Sequence, residues 1–272
     1  MSSTKTSSIT DTKFNKFFNI FILVGMATAV AVVNIFKLQD PEVQVVKQIV
    51  IALGALMGVV NTVLSANGNI WTFLFGVIDV GICAYANADS GNMGQFLQHL
   101  LYFLPMQFVG FWQWRKRGAD TRKDEGGKTR RVKARRLTAK QWAIAAASVV
   151  AGTAAAYGIL YWIDLTQFNA GRIEVIDRGK IFLDAFVVVL NIAGQVLMSF
   201  AYADQWYLWN LVNIFSIMLW VNRLMSPSAS TYTVVMVIKY SFYLLNSING
   251  LRIWLALSKE DALAPEQHKS CC

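Results

Sequence analysis

The chain has 272 residues, 55% of them hydrophobic and only 15% charged, with a formal net charge of +9. Soluble domains carry about 25% charged residues, so this composition excludes an ordinary soluble globule. The positive charge does not mark a nucleic-acid binder either, because twelve of the 25 Lys and Arg residues lie in one polar segment, Arg115 to Lys140.

Apolar residues gather in runs near ~20 long, the length a helix needs to cross about 30 Å of hydrocarbon. Without water to satisfy the backbone, helices are the natural solution at that length. Eight membrane helices are predicted, at about Phe14–Phe36, Val46–Ala66, Asn69–Asn87, Gln95–Trp114, Gln141–Ile163, Lys180–Phe200, Trp206–Asn222 and Thr231–Leu257. Gly and Pro mark the breaks, as in Ala66-Asn67-Gly68-Asn69 and Ser226-Pro227-Ser228. The first run follows Lys13 and Lys16 and contains Ala27-Thr28-Ala29, which also suits a signal peptide. Its continuation to Phe36 favours a retained helix, and its removal would leave seven helices in the same orientation.

The basic segment reads as a cytoplasmic loop under the positive-inside bias, with contact to RNA or anionic lipid as the alternative. Placing it inside puts both termini in the cytoplasm, in agreement with Lys5, Lys13, Lys16, Arg252 and Lys259. The outer loop Asp164–Gly179 carries no basic excess. Cys83 sits in an apolar run as a packing residue, Cys271 and Cys272 end a polar tail, and no metal-type spacing occurs.

The second half echoes the first. Trp71, Tyr85 and Asn87 precede Trp206, Trp220 and Asn222 by 135 residues, and Phe103, Gly110 and Trp114 precede Tyr243, Gly250 and Trp254 by 140. Three crossings reverse direction, so two equivalent triples need an odd linker helix, and span five supplies it. The predicted fold is an all-α polytopic membrane protein of two parallel three-helix bundles joined by a linker helix, plus an extra N-terminal helix. The expected segments are a tail with the extra helix (1–45), the first bundle (46–114), the basic loop (115–140), the linker helix and outer loop (141–179), the second bundle (180–257) and a cytoplasmic tail (258–272). Such repeats place a solute site between the halves near the midplane.

Polar residues recur inside the spans. Asp184, Asn191 and Gln195 stack on one face of span six; Trp206, Asn210 and Asn213 share a face of span seven with Trp209 beside them; Lys239, Tyr243, Asn246 and Gly250 align on span eight. The first triple offers Asn61, Asp79, His99, Tyr102 and Gln107. Each amide can serve as interhelical glue or as a solute contact. Asp79 and Asp184 suit structural or helix-end roles, although ion coupling through them stays open. Trp206 can equally belong to an interfacial aromatic belt. Amides beside indoles suit a neutral or cationic ring-bearing solute; an anion would call for Arg or Lys at depth, and only Lys239 comes near. There is no G-x-x-x-x-G-K-[ST], HExxH or GxSxG motif, and the two histidines are His99 and His268. No enzyme activity, cofactor or metal is expected.

The stretch Asp184–Gln195, the run Trp206-Tyr-Leu-Trp209-Asn210-Leu-Val-Asn213, and Tyr240-x-x-Tyr243-x-x-Asn246-x-x-x-Gly250-x-x-x-Trp254 resemble the PnuC family of bacterial nicotinamide riboside transporters. The resemblance covers about Ala52 to Leu257, and the first helix departs from its seven-helix core. It implies a fold like the SWEET sugar transporters, facilitated uptake of nicotinamide riboside in the inner membrane, and trapping of that solute by a cytoplasmic kinase. Carried onto this chain, it implies a pocket of Trp206, Trp209, Asn210, Asn213, Tyr243 and Asn246, completed by Gln195 and Gln107. The other readings are thiamine, riboflavin or a sugar as solute, or a membrane enzyme or scaffold. Expected partners are the lipid bilayer and the solute, with a homo-oligomer such as a trimer and no nucleic acid.

Overall fold

A computed structural model describes residues 9–39, 44–89, 93–122, 130–225 and 231–269, whose regular elements are all helical. After a short 3₁₀ turn they are α1 (Lys13–Leu38), α2 (Val45–Ala66), α3 (Thr72–Asp89), α4 (Met93–Gln98), a π turn (His99–Phe103), α5 (Leu104–Lys116), α6 (Ala139–Asn169), α7 (Arg178–Ser199), α8 (Gln205–Leu224) and α9 (Thr231–Lys269). Counting α4, the π turn and α5 as one rod, these are the eight expected spans. Two ends differ. Span five runs on to Asn169 and shortens the outer loop, and α9 continues past Leu257 to Lys269. Lys5, the Ser226-Pro227-Ser228 break, the side chain of His268, and Cys271 and Cys272 lie outside the described residues.

The π turn has a local cause. Pro105 lacks the N–H that would bond to Leu101, and its ring would crowd that carbonyl. Widening the preceding turn removes the conflict, and the Leu104 N–H reaches back to the His99 carbonyl.

Segments within α1, α2, α6 and α7 are long and apolar enough to cross a bilayer. The more polar α3, α4–α5 rod, α8 and α9 are accommodated because the helices close into a ring. Around it α2 packs on α3, α3 on α5, α5 on α7, α7 on α8, α8 on α9 and α9 back on α2. The ring therefore has two seams between the first and second triples, α5/α7 and α2/α9. Helix α6 packs on α7 from outside, and most of its length faces outward.

The N-terminal helix covers the α2/α9 seam. Fully buried Asn15 donates to the Asn67 side chain (2.7 Å) and accepts from Asn249 of α9 (3.0 Å). In an apolar setting such amides hold best when both donor and acceptor are matched, so Asn15 fixes the depth of α1 against both helices.

The repeat is visible in backbone geometry. The α2–α3 turn bends at Gly68 (φ 64°) and the α7–α8 turn at Ala201 (φ 59°), 133 positions later (201 less 68). Each helix ends in the same pair of bonds: Gly68 N–H to Ser65 and Asn69 N–H to Leu64, then Ala201 N–H to Met198 and Tyr202 N–H to Leu197. The rings opposite the two conserved-in-repeat glycines also match. A Cβ on Gly110 would lie 2.2 Å from Phe73, and one on Gly250 would lie 2.8 Å from Trp206. Phe73, not the half-exposed Trp71, is thus the counterpart of Trp206, which corrects the expected 135-residue register by two. Trp114 and Trp254 keep their 140-residue spacing: the Trp114 indole donates to Met198 (2.8 Å) and the Trp254 indole to Ser65 (3.0 Å).

The basic loop is not simply solvated. Residues 130–138 form a strap across the ring's end. Val132 N–H bonds to Gly68 (3.1 Å) and Arg135 N–H to Ala201 (3.0 Å). The Arg131 guanidinium donates to the Asn67 carbonyl and that of Arg135 to the Phe200 carbonyl, so one cation caps the negative end of each repeat's first helix. Val132 and Ala134, each 2% exposed, join Trp114, Trp206 and Trp254 in one core. Asp204, fully buried, accepts from Arg136 (3.0 Å) and from the Leu137 N–H (2.6 Å). Asp204→Ala would strand that N–H and release the strap's end. A loss of roughly 1–3 kcal/mol in unfolding free energy is expected; an unchanged denaturant midpoint in detergent would contradict the strap's anchoring.

Candidate functional site

Inside the ring lies a chamber of about 390 Å³ that is partly open. Its wall draws on both triples. Helix α2 contributes Asn61, Thr62 and Ser65, α3 Asp79, and the π turn His99; α7 contributes Asn191, Gln195 and Met198. Helix α8 brings Trp206, Trp209, Asn213 and Ser216, and α9 brings Tyr240, Tyr243 and Ser247. The π turn positions His99 because the Tyr102 hydroxyl donates across the α5/α7 seam to the Ile192 carbonyl (2.7 Å).

Five of the eight residues expected in a pocket line this chamber: Gln195, Trp206, Trp209, Asn213 and Tyr243. Three stand outside its lining. Asn210 accepts from the Ser247 hydroxyl, and Ser247 in turn lines the wall. Asn246 is fully buried and donates to the Thr62 carbonyl (3.2 Å), holding α9 on α2. Gln107 fills the space left by Gly76, where a Cβ would sit 2.3 Å from its Oε1. Trp206 is only 3% exposed, so it is a wall residue rather than part of an interfacial belt.

Some buried polar atoms in or behind the wall lack internal partners. Trp206 Nε1, Gln107 Oε1 and Asn246 Oδ1 are buried with no hydrogen-bond partner among the described residues. Such orphaned groups are costly unless a ligand or water completes them. The wall itself offers the Trp206 indole and the amides of Asn61, Asn191, Gln195 and Asn213 beside aromatic faces. That set suits a flat, polar, ring-bearing solute.

Sequence reading did not select Asn61, Asp79, His99, Asn191, Ser216, Tyr240 and Ser247 for the site. Four of them were visible as in-span polar residues; which wall they face depends on helix rotation. No group of three or more His, Cys, Asp or Glu side chains suited to a metal occurs among the described residues.

A family model described as nicotinamide mononucleotide transporter matches residues 48–256. The nicotinamide riboside transporter PnuC of Neisseria mucosa is 33% identical over 208 residues, 76% of this chain and 72% of the relative. That of Haemophilus influenzae is 30% identical over 207 residues, 76% of this chain and 79% of the relative. The crystal structure of the vitamin B3 transporter PnuC superposes with a TM-score of 0.64 at 29% identity, covering 92% of this chain and 94% of that one. Ring, chamber and relatives together define a polytopic α-helical membrane transporter. The structural match also reaches beyond the 48–256 core. The chain belongs to the nicotinamide mononucleotide transporter family.

Proposed function

We propose that the protein carries nicotinamide riboside across the bacterial cytoplasmic membrane, down its gradient, and that a cytoplasmic kinase traps the solute by phosphorylation. The observation that carries this reading is the chamber between the two triples, where Trp206, Trp209 and Tyr243 offer ring faces and Asn213, Gln195 and Asn61 offer amides. A cationic pyridinium favours aromatic faces, and the carboxamide and ribose hydroxyls suit amides and hydroxyls as partners. Among the described residues the wall contains no Lys or Arg. A phosphate would want such a cation, which favours the riboside over the mononucleotide. The strap's arginines and the positive-inside bias support a cytoplasmic strap face, with both termini on that side.

Titration of the purified protein with nicotinamide riboside, nicotinamide mononucleotide and thiamine tests the reading. Saturable binding of the riboside is expected, at least about tenfold tighter than either competitor, one decade of Kd being about 1.4 kcal/mol. Equal binding of the mononucleotide would reject the riboside assignment. Proteoliposome uptake that vanishes when ion gradients are collapsed would reject the downhill mechanism.

A further inference from the structure

We propose that Asp79 is the charge-selecting residue of the chamber, the counter-ion for a cationic solute ring. This deepens the riboside reading and rests on it. Among the described residues, Asp79 is the one acidic side chain in the chamber wall. It comes from the first triple, whereas the indoles Trp206 and Trp209 of the same lining come from the second.

Its seat is specific. Gly58 of α2 stands behind it, and a Cβ there would lie 2.9 Å from Asp79 Oδ1. The glycine admits the carboxylate against α2 where any larger residue would push it aside. The hydrogen-bond donor the structure gives it is the Cys83 thiol, at 3.6 Å, a weak partner for a charged oxygen. Among the described residues no N–H or O–H donor bonds its oxygens, and its opposite-charge neighbour from another helix is Lys239 of α9.

The charges around it are consistent with that role. Lys239 stands one turn before Tyr243 on α9, within electrostatic reach of Asp79, with its ammonium 5.4 Å from the Tyr243 ring centroid. Lys239 does not belong to the lining, whereas Asp79, Tyr240 and Tyr243 do. His99 is the remaining titratable wall residue. Asp79 thus belongs to the lining that a solute meets, and Lys239 stands outside it beside the Tyr240 and Tyr243 rings. A pyridinium between Asp79 and the indoles gains both Coulombic and cation–π attraction. The same ring reduced to its neutral dihydro form keeps the carboxamide and ribose contacts and loses both.

The test compares binding of nicotinamide riboside and its neutral dihydro form to the wild-type protein and to Asp79→Asn. The wild type is expected to prefer the cation by roughly 10–100-fold, and Asp79→Asn, which leaves the aromatic attraction in place, should cut that ratio at least about fivefold, chiefly by weakening the cation. A wild-type protein that binds both forms equally overturns the Asp79 assignment and leaves the riboside reading standing. A variant that keeps the full preference also overturns it. Binding of neither form by the wild type overturns both readings together. Should Asp79→Asn fail to fold, Asp79→Ser gives the same comparison: a full cation preference in it overturns the assignment, and a reduced one upholds it.

Discussion

Replacing Trp254 with alanine is expected to lower the unfolding free energy by about 3–5 kcal/mol, the usual range for deleting a fully buried aromatic. The side chain is completely buried, and its ring lies 5.2 Å from Trp114 and 6.4 Å from Trp206. Its indole N–H bonds to the Ser65 carbonyl, tying α9 to α2. Alanine would open a cavity where both repeats and the strap meet, and would leave the Ser65 carbonyl without that donor. Trp254→Phe keeps most of the volume and should lose less than half as much. Thermal or denaturant unfolding in detergent measures both. A midpoint for Trp254→Ala within a degree or two of wild type would show that this core does not hold the halves together.

Trp206→Ala should weaken nicotinamide riboside binding by about 30-fold or more, as truncating a central aromatic contact commonly costs over 2 kcal/mol. The residue supplies a ring face and an indole N–H that has no partner among the described residues. It also packs against Gly250, so alanine risks loosening the fold. Trp206→Phe goes far to separate the two effects, since it retains one aromatic ring and removes the pyrrole half with its donor; a loss of about tenfold is expected. Calorimetric titration of both variants, with their unfolding midpoints as controls, checks the pair. Unchanged affinity in Trp206→Phe would remove the indole N–H from the binding contacts. Asn210→Ala should act more weakly than Trp206→Ala, because Asn210 reaches the chamber only through Ser247.

The spans were legible because their lengths and breaks follow directly from bilayer thickness and turn chemistry. The repeat was legible at Gly110/Gly250 and Trp114/Trp254, where small and large residues recur in one pattern. It was misread by two residues in α3, because Trp71 resembles Trp206 in kind whereas the contact requires any large ring opposite the glycine, and Phe73 provides it. Site residues on α7, α8 and α9 were partly legible through helical spacing. Asn246 and Gln107 have the same chemistry as the wall amides, and only packing decides that they sit behind it. The strap was the least legible element. Its cations suggested solvation, yet its backbone bonds are independent of side-chain charge. The available signal was the alternation Arg131-Val132-Lys133-Ala134-Arg135, small apolar residues at every second position, as in an extended segment with one buried side.

The duplicated anchoring of that short segment also sets a ruler across one end of the molecule. Val132 holds Gly68 and Arg135 holds Ala201, and three residues of fully stretched backbone reach no farther than roughly 10–11 Å. While both bonds persist, the first and second triples cannot draw apart at this end beyond that reach. Rocking that widens the far end would leave the leash slack, whereas widening at the near end would tear one bond or the other before a passage the width of a nucleoside appeared.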